Sequence, residues 1–161
     1  MLNSYGLGVA VAVFNNDGWD DIYVSNDFHE DDYYYINNKN GTFSEQLKSY
    51  FGKVSRSSMG NDVADINHDG WLDLVIADGN DMQPGKLNVY YNDNGAFPVL
   101  ADWQSDDSAY NGHLDVADVN GDGWPDVAVS YLGEFSTTAP IARLYLNNNG
   151  VLSSLPDWSA D

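Results

Sequence analysis

The sequence contains no cysteine, few basic residues and no long hydrophobic run, and each absence excludes a class of protein or site. Without cysteine, neither disulfides nor thiolate-bound metals are available. The chain has 6 Lys and Arg against 25 Asp and Glu, a formal net charge of −19. This balance excludes binding to nucleic-acid phosphates and attraction to an anionic membrane surface. No stretch approaches the roughly 18 apolar residues of a membrane span.

The remaining composition is that of a folded domain. The chain has 161 residues, 43% of them hydrophobic and 14% aromatic, which excludes a disordered acidic tail. An apolar run over 7–14 has no basic segment before it, and polar residues follow it at once. The run therefore predicts a strand and not a signal peptide. We expect a soluble chain whose export signal has been removed or was never present.

An internal repeat of about fifty residues dominates the sequence. Its first marker is the triplet Asp-Gly-Trp, which begins at Asp17, Asp69 and Asp122. Its second marker is the pair Asn-Gly, which follows an apolar and aromatic run at 40–41, 94–95 and 149–150. Asn-Gly between two such runs indicates a hairpin, because both central residues of a type I′ turn need a positive φ. An aromatic residue closes each unit, at Phe51, Trp103 and Trp158.

Each repeat predicts four short strands. The first enters the Asp-rich segment, the second leaves it, the third runs up to Asn-Gly, and the fourth ends near the closing aromatic. Four strands in about fifty residues are typical of a β-propeller blade, whereas the alternative, a solenoid, usually has shorter repeats. The sequence thus predicts an all-β, single repeat domain over 1–161. Its three four-stranded antiparallel blades are expected at about 1–54, 55–107 and 108–161.

The Asp-rich segments have the spacing of a cation loop. When the second loop is counted from Asp65 as position one, oxygen side chains fall at one, three, five and nine. A glycine at six permits a sharp turn, and the carbonyl at seven is free to join. Hard divalent cations bind six to eight oxygens at about 2.3–2.6 Å, which alternate residues of a tight loop can supply. The predicted ligands are Asp65, Asn67, Asp69, Trp71 (through its carbonyl) and Asp73.

The other two loops repeat this pattern with one departure. The third loop is complete, with ligands predicted at Asp118, Asn120, Asp122, Trp124 and Asp126. The first loop keeps Asn15, Asp17, Trp19 and Asp21 but has Val13 at position one. Carboxylates with an amide and a carbonyl fit Ca²⁺, whereas Zn²⁺ prefers His or Cys and Mg²⁺ keeps more water. We expect two strong calcium sites and one weakened site. A metal-free turn is the alternative, and it stays open for the first loop.

The start of each loop is also that of an EF-hand, but the later positions differ. An EF-hand needs a bidentate Glu at position twelve and a following helix. Position twelve is Ile76 in the second loop and Val129 in the third, and both lie in alternating segments typical of strands. The EF-hand interpretation therefore fails.

The loop pattern D-x-N-x-D-G-x-x-D, complete twice and degraded once, resembles the FG-GAP and VCBS repeats. These are the blades of the integrin α-subunit propeller and of many secreted bacterial proteins. The resemblance covers nearly the whole chain. The stretch SNDFHEDDYYYINNKNGTF, with SRSSMGNDVADINHDGWLDL after it, is particularly similar to bacterial propellers of the cartilage-acidic-protein type. The resemblance implies an extracellular or periplasmic protein.

The resemblance also implies binding and not catalysis, with a carbohydrate or protein ligand. It places the calcium loops on one face as clamps and the ligand on the other, at the loops 26–32, 78–86 and 132–141. The alternatives are a polysaccharide-active lyase or hydrolase with paired carboxylates, and a structural or engineered repeat unit without ligand. The ionisable cluster at 29–32 is a candidate acid/base pair or further metal site, or else a solvated loop. Against an enzyme, the repeated loops account for nearly every well-placed Asp.

Three blades leave two terminal sheet faces uncovered, whereas propellers close with typically four to eight blades. The sequence begins just before a first strand and stops after a fourth, so we expect no strand left over to close a ring within one chain. Two copies in head-to-tail contact would close a six-bladed ring. The sequence therefore predicts a homodimer, and a piece cut from a longer propeller is the alternative.

Overall fold

The computed structural model describes residues 5–27, 30–52, 54–55, 57–79, 83–132 and 141–160. Their strands form three four-stranded sheets, each with its strands in chain order. Every pairing is antiparallel. The predicted all-β fold of three four-stranded antiparallel blades is therefore confirmed. Closure into a ring by a second copy stays a prediction.

The strand bounds are as follows. The first sheet contains β1 (Tyr5–Ala12), β2 (Asp21–Asp27), β3 (Tyr33–Asn37) and β4 (Phe43–Glu45). The second sheet contains β5 (Ser58–Ala64), β6 (Asp73–Gly79), β7 (Pro84–Tyr90) and β8 (Trp103–Gln104). The third sheet contains β9 (Asn111–Ala117), β10 (Asp126–Tyr131), β11 (Ala142–Tyr145) and β12 (Trp158–Ala160). One short helix, α1 (Leu47–Tyr50), follows β4.

Two hydrophobic clusters join the blades face to face. Alternate residues of β6 serve both: Leu74 and Ile76 lie in the cluster shared with the first blade, and Val75 and Ala77 in the cluster shared with the third. Because successive side chains of a strand point to opposite faces, a strand buried on both faces reads as a continuous apolar run. Each fully buried Val, Leu, Ile or Phe side chain stabilises the fold by about 1.5–3 kcal/mol.

The first strands of neighbouring blades approach closely at glycine. A Cβ on Gly8 would lie 3.0 Å from the backbone N of Asn61, and a Cβ on Gly60 would lie 3.1 Å from His113 Cα. The strand pairing of the first two blades shifts register next to these same glycines. A larger residue would force the strands apart, so β1, β5 and β9 lie side by side because of the missing side chains.

The closing aromatics differ between the blades. Trp103 and Trp158 lie within the fourth strands, whereas Phe51 follows α1, which the sequence did not predict. Phe51 stacks on Phe97 of the second blade, with ring centroids 4.5 Å apart. The short helix thus delivers its aromatic residue into the joint between two blades. No helix in the described part of the chain is long and apolar enough to cross a bilayer.

Candidate metal centres

Each predicted cation loop joins the first and second strands of its blade, and all three loops share one backbone conformation. Position four has a positive φ of 53°, 57° and 79°, at Asn16, His68 and Gly121. Position six has φ of 83°, 92° and 93°, at Gly18, Gly70 and Gly123. Glycine adopts this conformation without the steric cost that a Cβ imposes. The turn therefore forms in the first loop too, although Val13 stands at position one.

In the second loop the side chains at positions one, three and five converge. The N–H of Asp69 donates to Asp65 Oδ1 and to Asn67 Oδ1, both at 2.9 Å. Asn67 Nδ2 donates to Asp69 Oδ2 at 3.0 Å, and the Gly70 N–H donates to Asp65 Oδ2 at 3.0 Å. At position seven the Trp71 N–H donates to Asp69 Oδ1 at 2.9 Å. Two carboxylates are thus held at one turn.

The third loop repeats this arrangement. The N–H of Asp122 donates to Asp118 Oδ1 at 3.1 Å and to Asn120 Oδ1 at 2.8 Å. Asn120 Nδ2 donates to Asp122 Oδ2 at 2.9 Å, and the Gly123 N–H donates to Asp118 Oδ2 at 2.8 Å. The Trp124 N–H donates to Asp122 Oδ1 at 2.9 Å. The same bonds therefore form in two loops whose residues at position four differ.

The aspartate at position nine lies at the base of its loop and is fully buried in all three blades. Asp73 accepts the Asn92 N–H on Oδ1 at 2.8 Å and the Ile66 N–H on Oδ2 at 2.9 Å. Asp126 accepts the equivalent N–H groups of Asn147 and Val119. Burial raises the pKa of Asp73 to about 6. The two hydrogen bonds from the N–H groups lower this pKa, but burial has the larger effect. This residue ties the cation loop to the Asn-Gly hairpin.

A lysine reaches into the first loop. Lys39 Nζ lies 3.1 Å from Asp17 Oδ2, the oxygen whose counterpart in the other loops accepts the position-three amide. The pKa of Asp17 is lowered: desolvation opposes the change, but the Trp19 N–H and the Lys39 ammonium outweigh it. Sequence reasoning missed Lys39. The signal was present, because the segment NNKNG is one residue longer than NDNG and NNNG.

The donor chemistry of the second and third loops fits a hard divalent cation. Every side-chain acceptor at positions one, three and five is an oxygen, and each carboxylate oxygen that accepts one N–H keeps a further lone pair. Within the described residues, no three Asp, Glu or His side chains lie close enough together to hold a metal ion by themselves. A cation in these loops would therefore need the amide and the carbonyl oxygens in addition to carboxylates.

The cation loops also contact the next blade. Trp124 of the third loop stacks on His68 of the second, with ring centroids 4.0 Å apart. A Cβ on Gly150, in the hairpin of the third blade, would lie 3.6 Å from Asn67 Cα. The Trp124 side chain at position seven therefore serves blade packing, whether or not its carbonyl binds a cation.

A recess of about 910 Å³ lies between the first and second blades, bordered by the end of β6 that is far from its cation loop. Its walls include Asp31, Asp78, Phe51 and Val54. Burial raises the pKa of Asp78 to about 6. The loops predicted to carry the ligand belong to this face, but their segments 28–29, 80–82 and 133–140 lie outside the described residues.

Family models match most of the chain. A model described as an FG-GAP-like repeat matches residues 14–76 and 65–129, and one described as an FG-GAP repeat matches 110–152. Mouse integrin alpha-3 is 29% identical over 103 residues, which cover 56% of this chain and 10% of the integrin. Human integrin alpha-6 is 35% identical over 89 residues, which cover 48% and 8%. The chain thus spans a tenth or less of these curated relatives.

A solved structure is similar across nearly the whole chain. It covers 95% of this chain and 42% of its own, with a TM-score of 0.54 and 19% identity. Its title describes specific recognition of non-reducing terminal N-acetylglucosamine by a lectin of Agrocybe aegerita. At this identity the likeness concerns the fold.

Proposed function

The chain belongs to the FG-GAP repeat family, and we propose that it is a calcium-binding, non-catalytic propeller module for protein or carbohydrate binding. The observation that carries the calcium assignment is the shared geometry of the second and third loops. In both, two carboxylates and an amide oxygen converge at one turn with the same hydrogen bonds. The first loop is a weakened site, because Val13 supplies no oxygen and Lys39 already neutralises Asp17.

Calcium would offset the repulsion that each complete loop creates. Two like charges about 4 Å apart repel by about 1 kcal/mol in water and about 4 kcal/mol at an effective dielectric constant of 20. The residues that would hold the ion are those at positions one, three, five, seven and nine. Extracellular calcium modules bind with Kd of about 10⁻⁴–10⁻³ M, which suits an exported protein.

Calcium removal is expected to lower the melting temperature. With about 5 mM calcium and a Kd of about 10⁻⁴ M, one site that is occupied only in the folded state adds about 2.3 kcal/mol. Two sites add about 4–5 kcal/mol, and a domain of this size shifts by roughly 2–4 °C per kcal/mol. Differential scanning calorimetry should therefore show a decrease of about 10 °C or more in EDTA. A melting temperature that is equal in calcium and in EDTA would contradict the assignment.

The three sites are expected to be unequal. Isothermal titration calorimetry should give two calcium ions per chain, and Asp69→Ala or Asp122→Ala should each remove one, because each deletes a central carboxylate. Asp17→Ala is the matched control at the same loop position, and it should leave the number at two. A lower number for Asp17→Ala would show that the first loop binds calcium despite Val13.

The converse change should create a third site. Val13→Asp restores the missing carboxylate, and Lys39→Met removes the competing ammonium from Asp17. We expect the double variant to bind three ions and Lys39→Met alone to bind two. A double variant that still binds two ions would show that the first loop lacks more than these groups.

The recess between the first and second blades is the proposed ligand face, since it lies at the far ends of the strands from the calcium loops. Glycan and peptide arrays probed with and without calcium test this role, with terminal N-acetylglucosamine among the glycans. Lys48→Glu, at an exposed residue of the recess lining, should weaken a signal that arises in the recess. Lys86→Glu, outside the recess lining, is the control. Signals that both variants retain would place the ligand elsewhere.

A further inference from the structure

At each of the two joints between blades, an asparagine at the equivalent hairpin position donates a hydrogen bond to the preceding blade. Asn92 Nδ2 of the second blade donates to the Phe14 carbonyl of the first at 2.8 Å. Asn147 Nδ2 of the third blade donates to the Ile66 carbonyl of the second at 2.9 Å. Both asparagines are fully buried, and each donates again to a carbonyl of its own blade. Buried amide groups need hydrogen-bond partners, so this contact is expected wherever two blades are fully packed together.

The residue whose carbonyl is bound is also the apolar anchor of the joint. The Phe14 side chain packs against Phe97 of the next hairpin, with centroids 5.8 Å apart. Ile66 lies in the same buried cluster as Leu152 of the next hairpin. All four side chains are 8% exposed or less. Each joint therefore has two halves. One blade supplies the apolar residue, called the anchor here, together with its carbonyl. The next blade supplies the hairpin asparagine and the apolar residue that follows Asn-Gly.

The joint between the second and third blades adds a carboxylate contact. Asp62 Oδ1 accepts the N–H of its neighbour Val63 at 2.8 Å, and Asp62 Oδ2 accepts the Val116 N–H of the third blade at 2.8 Å. The first blade has Ala10 at the corresponding position, so its joint with the second blade lacks this contact.

The outer face of the third blade carries one half of such a joint. Val119 corresponds to Phe14 and Ile66 by its place in the loop, and its side chain is 57% exposed. Asp115 corresponds to Asp62, and its Oδ1 accepts the next N–H, that of Val116, at 3.0 Å. The Oδ2 of Asp115 accepts no N–H in the part of the chain that the structure describes. The Asp115 carboxylate also lies against that of Asp62 in the second blade, so the uncovered part of this half-joint is the anchor Val119.

The outer face of the first blade carries the other half. Asn37 corresponds to Asn92 and Asn147, since its own N–H bonds the position-nine aspartate, Asp21, at 2.8 Å. Asn37 Nδ2 donates to the carbonyl of Asp20 at 3.0 Å, and its second hydrogen has no acceptor among the described residues. Phe43, the residue that corresponds to Phe97, is 43% exposed. Among the described residues, no atom beyond the chain neighbours lies within 4 Å of a Cβ built on Gly41, whereas Gly95 lies against the preceding loop.

The same face of the first blade is apolar. The inner strand β1 exposes Val9 at 62% and Val11 at 58%, with Tyr5 and Leu7 in line. In the second blade the corresponding face is buried against the first blade, where Leu74 and Ile76 are 1% exposed or less. A row of exposed apolar residues along one strand marks an interaction surface.

We propose that the outer face of the third blade packs on the outer face of the first blade of a second copy. Val119 of one copy would lie beside Phe43 of the other, and its carbonyl would accept the second Nδ2 hydrogen of Asn37. A second copy is the occupant because each face carries the half-joint that the other lacks, in the register of the two internal joints. Two such contacts close a ring of six blades, within the usual range.

Sedimentation velocity at about 1–100 μM tests the proposal. We expect a species of twice 17.8 kDa. Its association should become stronger as the ionic strength rises, because both copies carry a net charge of −19 and salt screens their repulsion. Val119→Asp buries a charge in the joint and should weaken association at least about tenfold. Val151→Asp is the matched control: Val151 is 66% exposed, and its counterpart Ala96 stays exposed in a formed joint. A wild-type monomer, an open polymer, or equal effects of the two variants would overturn the proposal.

Disulfide trapping gives a second test, since the chain has no cysteine of its own. A mixture of Phe43→Cys and Val119→Cys chains should yield a cross-linked heterodimer, and a mixture of Phe43→Cys and Val151→Cys should not. Equal yields from the two mixtures would overturn the proposal. Both experiments should be run in calcium and in EDTA. Association in EDTA supports the joint even if the calcium assignment fails.

Discussion

Asp73→Ala is expected to lower the free energy of unfolding by about 3–5 kcal/mol, in EDTA as well as in calcium. The Asp73 carboxylate is fully buried and accepts the N–H groups of Ile66 and Asn92, one on each oxygen. Alanine would leave both N–H groups buried without a partner, and each orphan costs about 1–3 kcal/mol. The carboxylate thereby joins the start of the cation loop to the hairpin, whether or not it also binds calcium.

Urea denaturation of three variants separates the structural role of Asp73 from metal binding. Asp73→Ala should lose stability in both conditions, and Asp73→Asn should lose less because it keeps one acceptor. Asp69→Ala should lose stability mainly in calcium, because Asp69 is exposed at the loop tip. If Asp73→Ala matched wild type in EDTA, its hydrogen bonds would contribute nothing and its role would be metal binding alone.

The features that the sequence predicted are local ones. The cation loop follows from nine consecutive positions, in which Gly70 supplies the left-handed backbone and Asp65 and Asp69 cap the turn. The alternating segment of β6 predicted a strand, and the structure adds that both of its faces pack against neighbouring blades. In these segments, propensity, periodicity and turn chemistry all favour the same structure.

The features that the sequence did not predict depend on distant partners. Asn92 lies 78 residues from Phe14, whose carbonyl it binds, and no local pattern distinguishes that asparagine from a solvated hairpin residue. Lys39 acts in the first loop because of one inserted residue, whose effect on the path of the hairpin needs coordinates. Phe51 reaches its stacking partner Phe97 through a four-residue helix that is too short to show a period.

Asp32 is a further residue whose environment the sequence did not predict. The plain interpretation of the acidic cluster at 29–32 was a solvated loop. Position 29 lies outside the described residues, but Asp32 is 1% exposed. The hydroxyls of Tyr23 and Ser58 donate to its Oδ2 at 2.7 Å and 2.9 Å, and the Asn26 N–H donates to its Oδ1 at 2.8 Å. Burial outweighs these bonds and raises the pKa of Asp32 to about 7, and the nearby Asp78 charge adds to the rise.

The stability of the protein in EDTA is therefore expected to fall as the pH rises from about 4 to about 7. Since the folded state holds the Asp32 proton more tightly than the unfolded state, stabilisation is complete below the unfolded pKa and is lost as the pH rises through the folded pKa. A rise from 3.8 to about 7 corresponds to at most about 4 kcal/mol, at 1.36 kcal/mol per unit.

Urea denaturation between pH 4.5 and pH 8 measures this dependence. Asp32→Asn is the decisive variant, because an amide mimics the neutral acid and can keep an acceptor for the Asn26 N–H while its NH₂ group faces the hydroxyl oxygens of Tyr23 and Ser58. Its profile should be flatter than that of wild type, with equal or greater stability at pH 8. Asp20→Asn, on the exposed side of the first loop, should keep the wild-type slope. If Asp32→Asn also kept that slope, the buried carboxyl would be ionised throughout this range, with its three donors outweighing the loss of solvent.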